Sequence, residues 1–129
     1  MHIKSIDHLV LTVADIEVTC EFYSTILDMQ VINFNQGRKA LRFGNQKINL
    51  HQKGHEFEPK AKYPTPGSAD LCLITETPLK KVIVELKQNN ISIEQGPIAK
   101  HGALGEIESV YIRDPDQNLI EISNYKSED

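Results

Sequence analysis

Histidine and carboxylate side chains are the residues of this chain best suited to chemistry, because imidazole and carboxylate can share a divalent cation or pass a proton. The sequence carries five histidines and 18 Asp and Glu residues. His8 stands in Ile6-Asp7-His8-Leu9-Val10-Leu11-Thr12-Val13. That alternation predicts a strand with His8, Val10 and Thr12 on one face and Leu9, Leu11 and Val13 on the other. A lone strand histidine is usually a hydrogen-bonded packing residue. Glu121 lies between Ile120 and Ile122 in NLIEIS, so its carboxylate faces away from both isoleucines. The wet face of an antiparallel sheet explains that placement, and so does a hard oxygen ligand for a cation. In KINLHQ, pairing Ile48/Leu50 with Ile120/Ile122 sets Asn49 opposite Glu121, with His51 on the same face as Asn49. Asp70 opens DLCLIT as His8 opens HLVLTV. These residues together suit a mixed His/carboxylate site with open positions, of the catalytic rather than the structural kind.

Other residues carry two readings each. His101, in AKHGALGEIES, belongs to a glycine-containing segment that either folds over a pocket or is a solvated loop. Tyr111 and Arg113 alternate on one strand face and either line a pocket or cross-link strands. Arg38 and Arg42 either bind a substrate carboxylate or form surface salt bridges. His2 and His55 read as solvated. Cys20 and Cys72 sit in apolar runs without a CxxC motif and read as buried thiols of a reducing compartment. There is no GxGxxG, P-loop, GxSxG or HExxH.

The elements that must position these residues come in a repeated order. After the first strand, Asp15 is a helix N-cap, and Val18, Phe22, Tyr23, Ile26 and Leu27 follow at helical spacing to an end near Asp28. Residues 31–35, 39–43 and 47–52 then read as strands. Residues 53–68, KGHEFEPKAKYPTPGS, hold three prolines and two glycines and read as a linker or long loop. The second half repeats the order: a strand at 70–75, a helix opened by Thr77 as N-cap and Pro78, an apolar stripe of Leu79, Val82, Ile83 and Leu86, and a stop at Asn89-Asn90. Strands at 91–94, 108–113 and 118–124 follow, the last two joined by a tight turn at 114–118. The predicted fold class is α+β: two βαβββ modules, about 1–55 and 69–125, joined by a linker of about 56–68. Neither module covers its own sheet, so the halves are expected to pack together.

Composition narrows the function classes. The chain has 129 residues, 40% hydrophobic and 25% charged, enough for a core without disulfides or a structural metal. Its net charge of −4, with no Lys/Arg stripe, argues against nucleic-acid or anionic-membrane partners. No leader-like segment and no apolar run of about 18 residues is present, so a cytoplasmic protein is expected.

At these residues the sequence resembles the vicinal-oxygen-chelate superfamily, which includes glyoxalase I, bleomycin-resistance proteins and extradiol dioxygenases. The resemblance rests on DHLVLTVADIEVTCEFYSTIL, FGNQKINLH and YIRDPDQNLIEIS, the last with Gln117 where the family signature has glycine. NLH, EFEPKA and CLITE are similar to the subfamily called glyoxalase domain-containing protein five. The resemblance implies a curved, partly open eight-stranded sheet around a metal pocket. It carries the family's first-strand His onto His8, its last-strand Glu onto Glu121, and the second module's first ligand onto Asp70. The fourth position falls on Asn49, with His51 two residues further along. The implied metal ligands are therefore His8, Asp70, Glu121 and His51, holding Zn, Ni, Mn, Co or Fe. Glu121 and His51 are the implied catalytic residues, and Tyr111, Arg113 and His101 the substrate-binding ones. Asn49 cannot act as a base, so Asp70, Glu121 or His51 must. Asp70 in place of a histidine argues against dioxygenase chemistry. The expected activity is that of a metal-dependent lyase or isomerase resembling glyoxalase I (lactoylglutathione lyase), acting on a small substrate with vicinal oxygens. The alternative is a metal-free, drug-sequestering protein of the bleomycin-resistance type. Open sheet edges favour a homodimer.

Overall fold

The computed structural model describes residues 1–126. The chain divides into two compact units, Met1–Ser68 and Ala69–Asp129. In the first, β1 (His8–Val13) leads into α1 (Ile16–Thr25), followed by β2 (Gln30–Phe34), β3 (Arg38–Phe43) and β4 (Gln46–Gln52). The strands form one sheet in the order β1-β4-β3-β2, with β1 parallel to β4 and the other pairs antiparallel. The second unit contains β5 (Asp70–Ile74), α2 (Leu79–Gln88), β6 (Gln95–Gly102), β7 (Gly105–Arg113) and β8 (Leu119–Tyr125). Its sheet has the corresponding order, β5-β8-β7-β6, again with only the first pair parallel. The expected α+β fold with two βαβββ modules is present, its eight strands divided between two open four-stranded sheets.

Period-two patterning explains each sheet. In the first unit Leu11, Val13, Leu41, Ile48 and Leu50 turn to one face and are at most 6% exposed, with Tyr23 of α1 fully buried. In the second, Val110, Ile112, Ile120 and Ile122 do the same, with Leu79, Val82 and Leu86 of α2 buried. Burying each such side chain stabilises the fold by about 1.5–3 kcal/mol. The opposite face of each sheet bears the polar residues, which is what positions the site.

The helix starts differ. Asp15 caps α1 as expected, its carboxylate accepting from Val18 N at 3.2 Å. Thr77 does not cap α2: Pro78 occupies the cap position, in an extended conformation and without a side-chain hydrogen bond. Asn124 of β8 substitutes for it. Its Oδ1 accepts from Leu79 N at 2.8 Å, while its Nδ2 donates to the carbonyls of Thr75 and Thr77.

The expected strand at 91–94 is displaced to Gln95–Gly102. Gly96 and Pro97 read as strand breakers, but β6 is an edge strand, where a missing N–H is tolerated. Gly96 takes φ +114° at a register irregularity, and a Cβ there would collide with the Ser109 carbonyl oxygen, so only glycine fits. The 114–118 turn is built as expected. Asp114 Oδ1 accepts from the backbone N–H groups of Asp116 and Asn118, and Oδ2 accepts from Asn118 Nδ2 at 2.8 Å. Buried Asn118 ties the turn to the start of the unit, accepting from Ala69 N at 2.8 Å.

Candidate functional site

On the first unit's polar face, register sets out three rows. His8 lies level with Lys47, and Lys47 with Arg42. Val10 lies level with Asn49, and Asn49 with Ala40. Thr12 lies level with His51. His8 is half-exposed, and Asp7 holds its ring: Nδ1 and Asp7 Oδ1 are 2.7 Å apart, leaving Nε2 for another partner. Asn49 Oδ1 is buried and has no hydrogen-bond partner among the described residues, a costly state for an amide oxygen.

The face does not bring His51 to His8. His51 lies four residues beyond Lys47, about 13 Å along the strand at roughly 3.3 Å per residue. It is 7% exposed and stacked edge-on against Phe57, their ring centroids 5.6 Å apart. The Arg38 guanidinium covers the Phe57 ring at 4.0 Å. Burial, followed by the charge of Arg38, pushes the His51 imidazole below its usual value. His51 is therefore a neutral packing residue beneath the 53–60 segment, and the position level with the second row belongs to Asn49.

On the second unit's polar face, Cys72, Glu121 and Tyr111 lie level across three strands, as do Ile74, Ser123 and Ser109. Glu121 is held by hydroxyls. Ser109 Oγ donates to its Oε2 at 2.6 Å, Ser123 Oγ lies 3.5 Å from the same oxygen, and Tyr111 adds a hydrogen bond. Ser109 and Ser123 are fully buried and 2.6 Å apart, and Cys72 Sγ is 3.4 Å from Ser123 Oγ. Burial, then the Glu121 charge, pushes the Tyr111 phenol up, and burial pushes the Cys72 thiol up. Asp70 is exposed, two residues along β5 from Cys72 and on the same face, and its carboxylate makes no hydrogen bond or ion pair among the described residues. Sequence reading missed Ser109 and Ser123, although the β7–β8 register places both beside Glu121.

Two expected substrate-binding residues are placed otherwise. Arg113 is a cross-link: Nε and Nη2 each donate to the Glu94 carboxylate at 3.0 Å, and Nη1 donates to Gln117 O at 3.1 Å. That pair holds the Glu94 carboxyl below the usual carboxylate range. His101 is on strand β6 rather than in a loop. It pairs with Glu106, whereas the residues sharing Glu121's face pair with Ile107, Ser109 and Tyr111, so His101 projects to the opposite face. Tyr111 remains on the face with Glu121.

Among the described residues no three His, Cys, Asp or Glu side chains gather closely enough to hold a metal ion. Each unit supplies a pair of candidate donors: His8 and Asn49 in the first, Asp70 and Glu121 in the second. Imidazole, carboxylate and amide oxygen are each donor types that suit a divalent transition ion. The orphaned Asn49 oxygen is a group that such an ion would satisfy.

A duplicated βαβββ unit with one polar face per sheet is the architecture of a known class. The model of the Glyoxalase/Bleomycin resistance protein/Dioxygenase superfamily matches residues 5–122, and the chain belongs to that superfamily. It is 62% identical over 125 residues to virulence protein STM3117 of Salmonella typhimurium, a match spanning 97% of this chain and 87% of that protein. The crystal structure of STM3117 agrees at a TM-score of 0.96 with 61% identity, covering 98% of this chain and 100% of that one. Glyoxalase domain-containing protein RDO1 of Mycosarcoma maydis is 52% identical over 126 residues, 98% of this chain and 71% of its own length. Lactoylglutathione lyase from Agrobacterium tumefaciens shares the fold at a TM-score of 0.73, with 18% identity over 95% of each chain. The family expectation is borne out. Members of this superfamily often use divalent metals, and among the described residues no helix is long and apolar enough to cross a membrane.

Proposed function

We propose that this chain is a divalent-metal-dependent lyase or isomerase of the glyoxalase I type, acting on a small substrate with vicinal oxygens. The observation carrying the proposal is the unequal treatment of two carboxylates on one sheet face. Glu121 is pinned by Ser109 at 2.6 Å and by Tyr111, while Asp70 is exposed and, among the described residues, unpartnered. A fixed carboxylate suits ligation, and a free one suits proton transfer. The candidate ligands are, unit by unit, His8 and Asn49 in the first and Glu121 in the second, with Asn49 in place of the expected His51, which packs against Phe57. When bound, the ion supplies Lewis-acid polarisation of the substrate oxygens.

The chain's own residues do the rest. Asp7 fixes the His8 ring. Ser109 and Tyr111 fix the Glu121 carboxylate. Asp70 takes a proton from one substrate carbon and returns it to its neighbour. The protein acts as a cytoplasmic homodimer, with β1 and β5 as open sheet edges.

Elemental analysis of untagged protein, with His8→Ala and Glu121→Gln beside it, tests this reading. Near-stoichiometric Zn, Ni, Mn, Co or Fe in the wild type, lost in both variants, is expected. Wild-type protein that never holds such an ion sinks the enzyme reading in favour of metal-free sequestration. Turnover of the methylglyoxal–glutathione hemithioacetal then tests the substrate assignment.

A further inference from the structure

We infer that the end of the first unit's polar face next to His8 is a subsite for an oxyanion, a carboxylate or phosphate-type group on the ligand, with Arg42 as its anchor and Lys47 as its second cation. This deepens the proposed function by naming a charge that the small substrate carries. A hollow of about 230 Å³ is walled by Arg42, Lys47, Asp7 and the turn residues Gly44, Asn45 and Gln46. Arg42 and Lys47 are level neighbours on one face, and His8 is level with Lys47.

A surface arginine or lysine with no carboxylate partner is held only by water and is free to meet a charge on a ligand. Among the described residues Arg42 has no ion pair and no hydrogen bond through its guanidinium, and Lys47 has only the Phe34 ring, 4.5 Å from its ammonium. Asp7, the acid that lines the same hollow, is already engaged by the His8 ring at 2.7 Å. The hollow therefore offers two uncompensated cations over one satisfied carboxylate. A guanidinium presents a planar fork that matches a carboxylate or phosphate edge, and an ammonium on a flexible stem can leave an aromatic face to close on the same group. An apolar or cationic ligand would leave both charges without a partner.

Titration of the full-length protein with inorganic phosphate and, separately, with acetate tests the inference, read by amide chemical shifts. Shifts centred on residues 42–47 are expected, with a millimolar Kd that rises at higher ionic strength. Arg42→Gln should weaken binding at least tenfold, Arg42→Lys should recover part of it, and Asp7→Asn should tighten it severalfold. The stronger of the two probes identifies which oxyanion the hollow prefers. Shifts scattered over the surface, or equal affinity in wild type and Arg42→Gln, overturn the inference. Glu121→Gln separates it from the metal reading. Phosphate binding must persist in that variant, and its loss would place phosphate on the metal and overturn the subsite. Failure of the metal analysis alone leaves the subsite standing.

Discussion

Ser109→Ala tests the idea that buried hydroxyls, rather than the carboxylate's own packing, hold Glu121. The substitution deletes one oxygen from a fully buried position and removes two short hydrogen bonds, to Glu121 Oε2 and to Ser123 Oγ, both 2.6 Å. A bond to a charged acceptor contributes about 1.5–3 kcal/mol and a neutral one about 0.5–1.5 kcal/mol. Glu121 is partly exposed, so water recovers some of the first term, and a net loss of about 2 kcal/mol is expected. In urea, with a slope of roughly 1–3 kcal/mol/M for a domain of this size, the midpoint should fall by about 1 M with the slope unchanged. The same variant should bind metal about 10–100-fold more weakly, the usual cost of losing a partner of a ligand. The double variant with Glu121→Ala separates orientation from packing: Ser109→Ala should cost about 1 kcal/mol less in that background. A midpoint shift below about 0.3 M, or identical costs in both backgrounds, would refute the reasoning.

Two further outcomes follow from backbone and burial. Gln117 sits at φ 70°, where an L side chain costs about 1–2 kcal/mol, so Gln117→Gly should stabilise the protein by about 0.5–1 kcal/mol after the entropy of glycine is set against it; calorimetry should show a melting temperature raised by roughly 2–4 °C, and no rise would mean that the turn is unstrained. Because the folded pKa of His51 is depressed, the unfolded chain binds its proton first, so stability is complete above about pH 6.5 and is lost as pH falls through the lower folded value; urea midpoints between pH 7 and 5 should therefore fall more steeply in wild type than in His51→Asn, and parallel curves would count against a buried neutral imidazole.

Local alternation made most of the strands legible, because a face buried against a helix writes itself as every second residue. It showed that His8 and Glu121 each point away from apolar neighbours, and Asp15 announced its helix by its place before Val18. What stayed hidden depends on residues far apart in the chain. Asn124 caps α2 from 45 residues away, so no local motif marks it. The β6 strand runs through Gly96 and Pro97 because it lies at a sheet edge, a fact of tertiary order. His51 shares a face with Asn49 as read, yet its role is decided by Phe57, which arrives from the adjoining loop. Ser109 and Ser123 look like ordinary strand residues until β7 and β8 are set in register, and then both fall beside Glu121.

That row of small polar groups has a sense of direction. Each hydroxyl carries a single hydrogen. Ser109 spends its hydrogen on the carboxylate, so it can only receive from Ser123, and Ser123 in turn can only receive from Cys72. The raised thiol pKa keeps a hydrogen on sulfur for that purpose. An ionised Glu121 thus orders three protons in file, all pointing toward itself. Removing the sulfur's hydrogen would cut only the tail of the file, whereas removing the Ser123 hydroxyl would cut it in the middle.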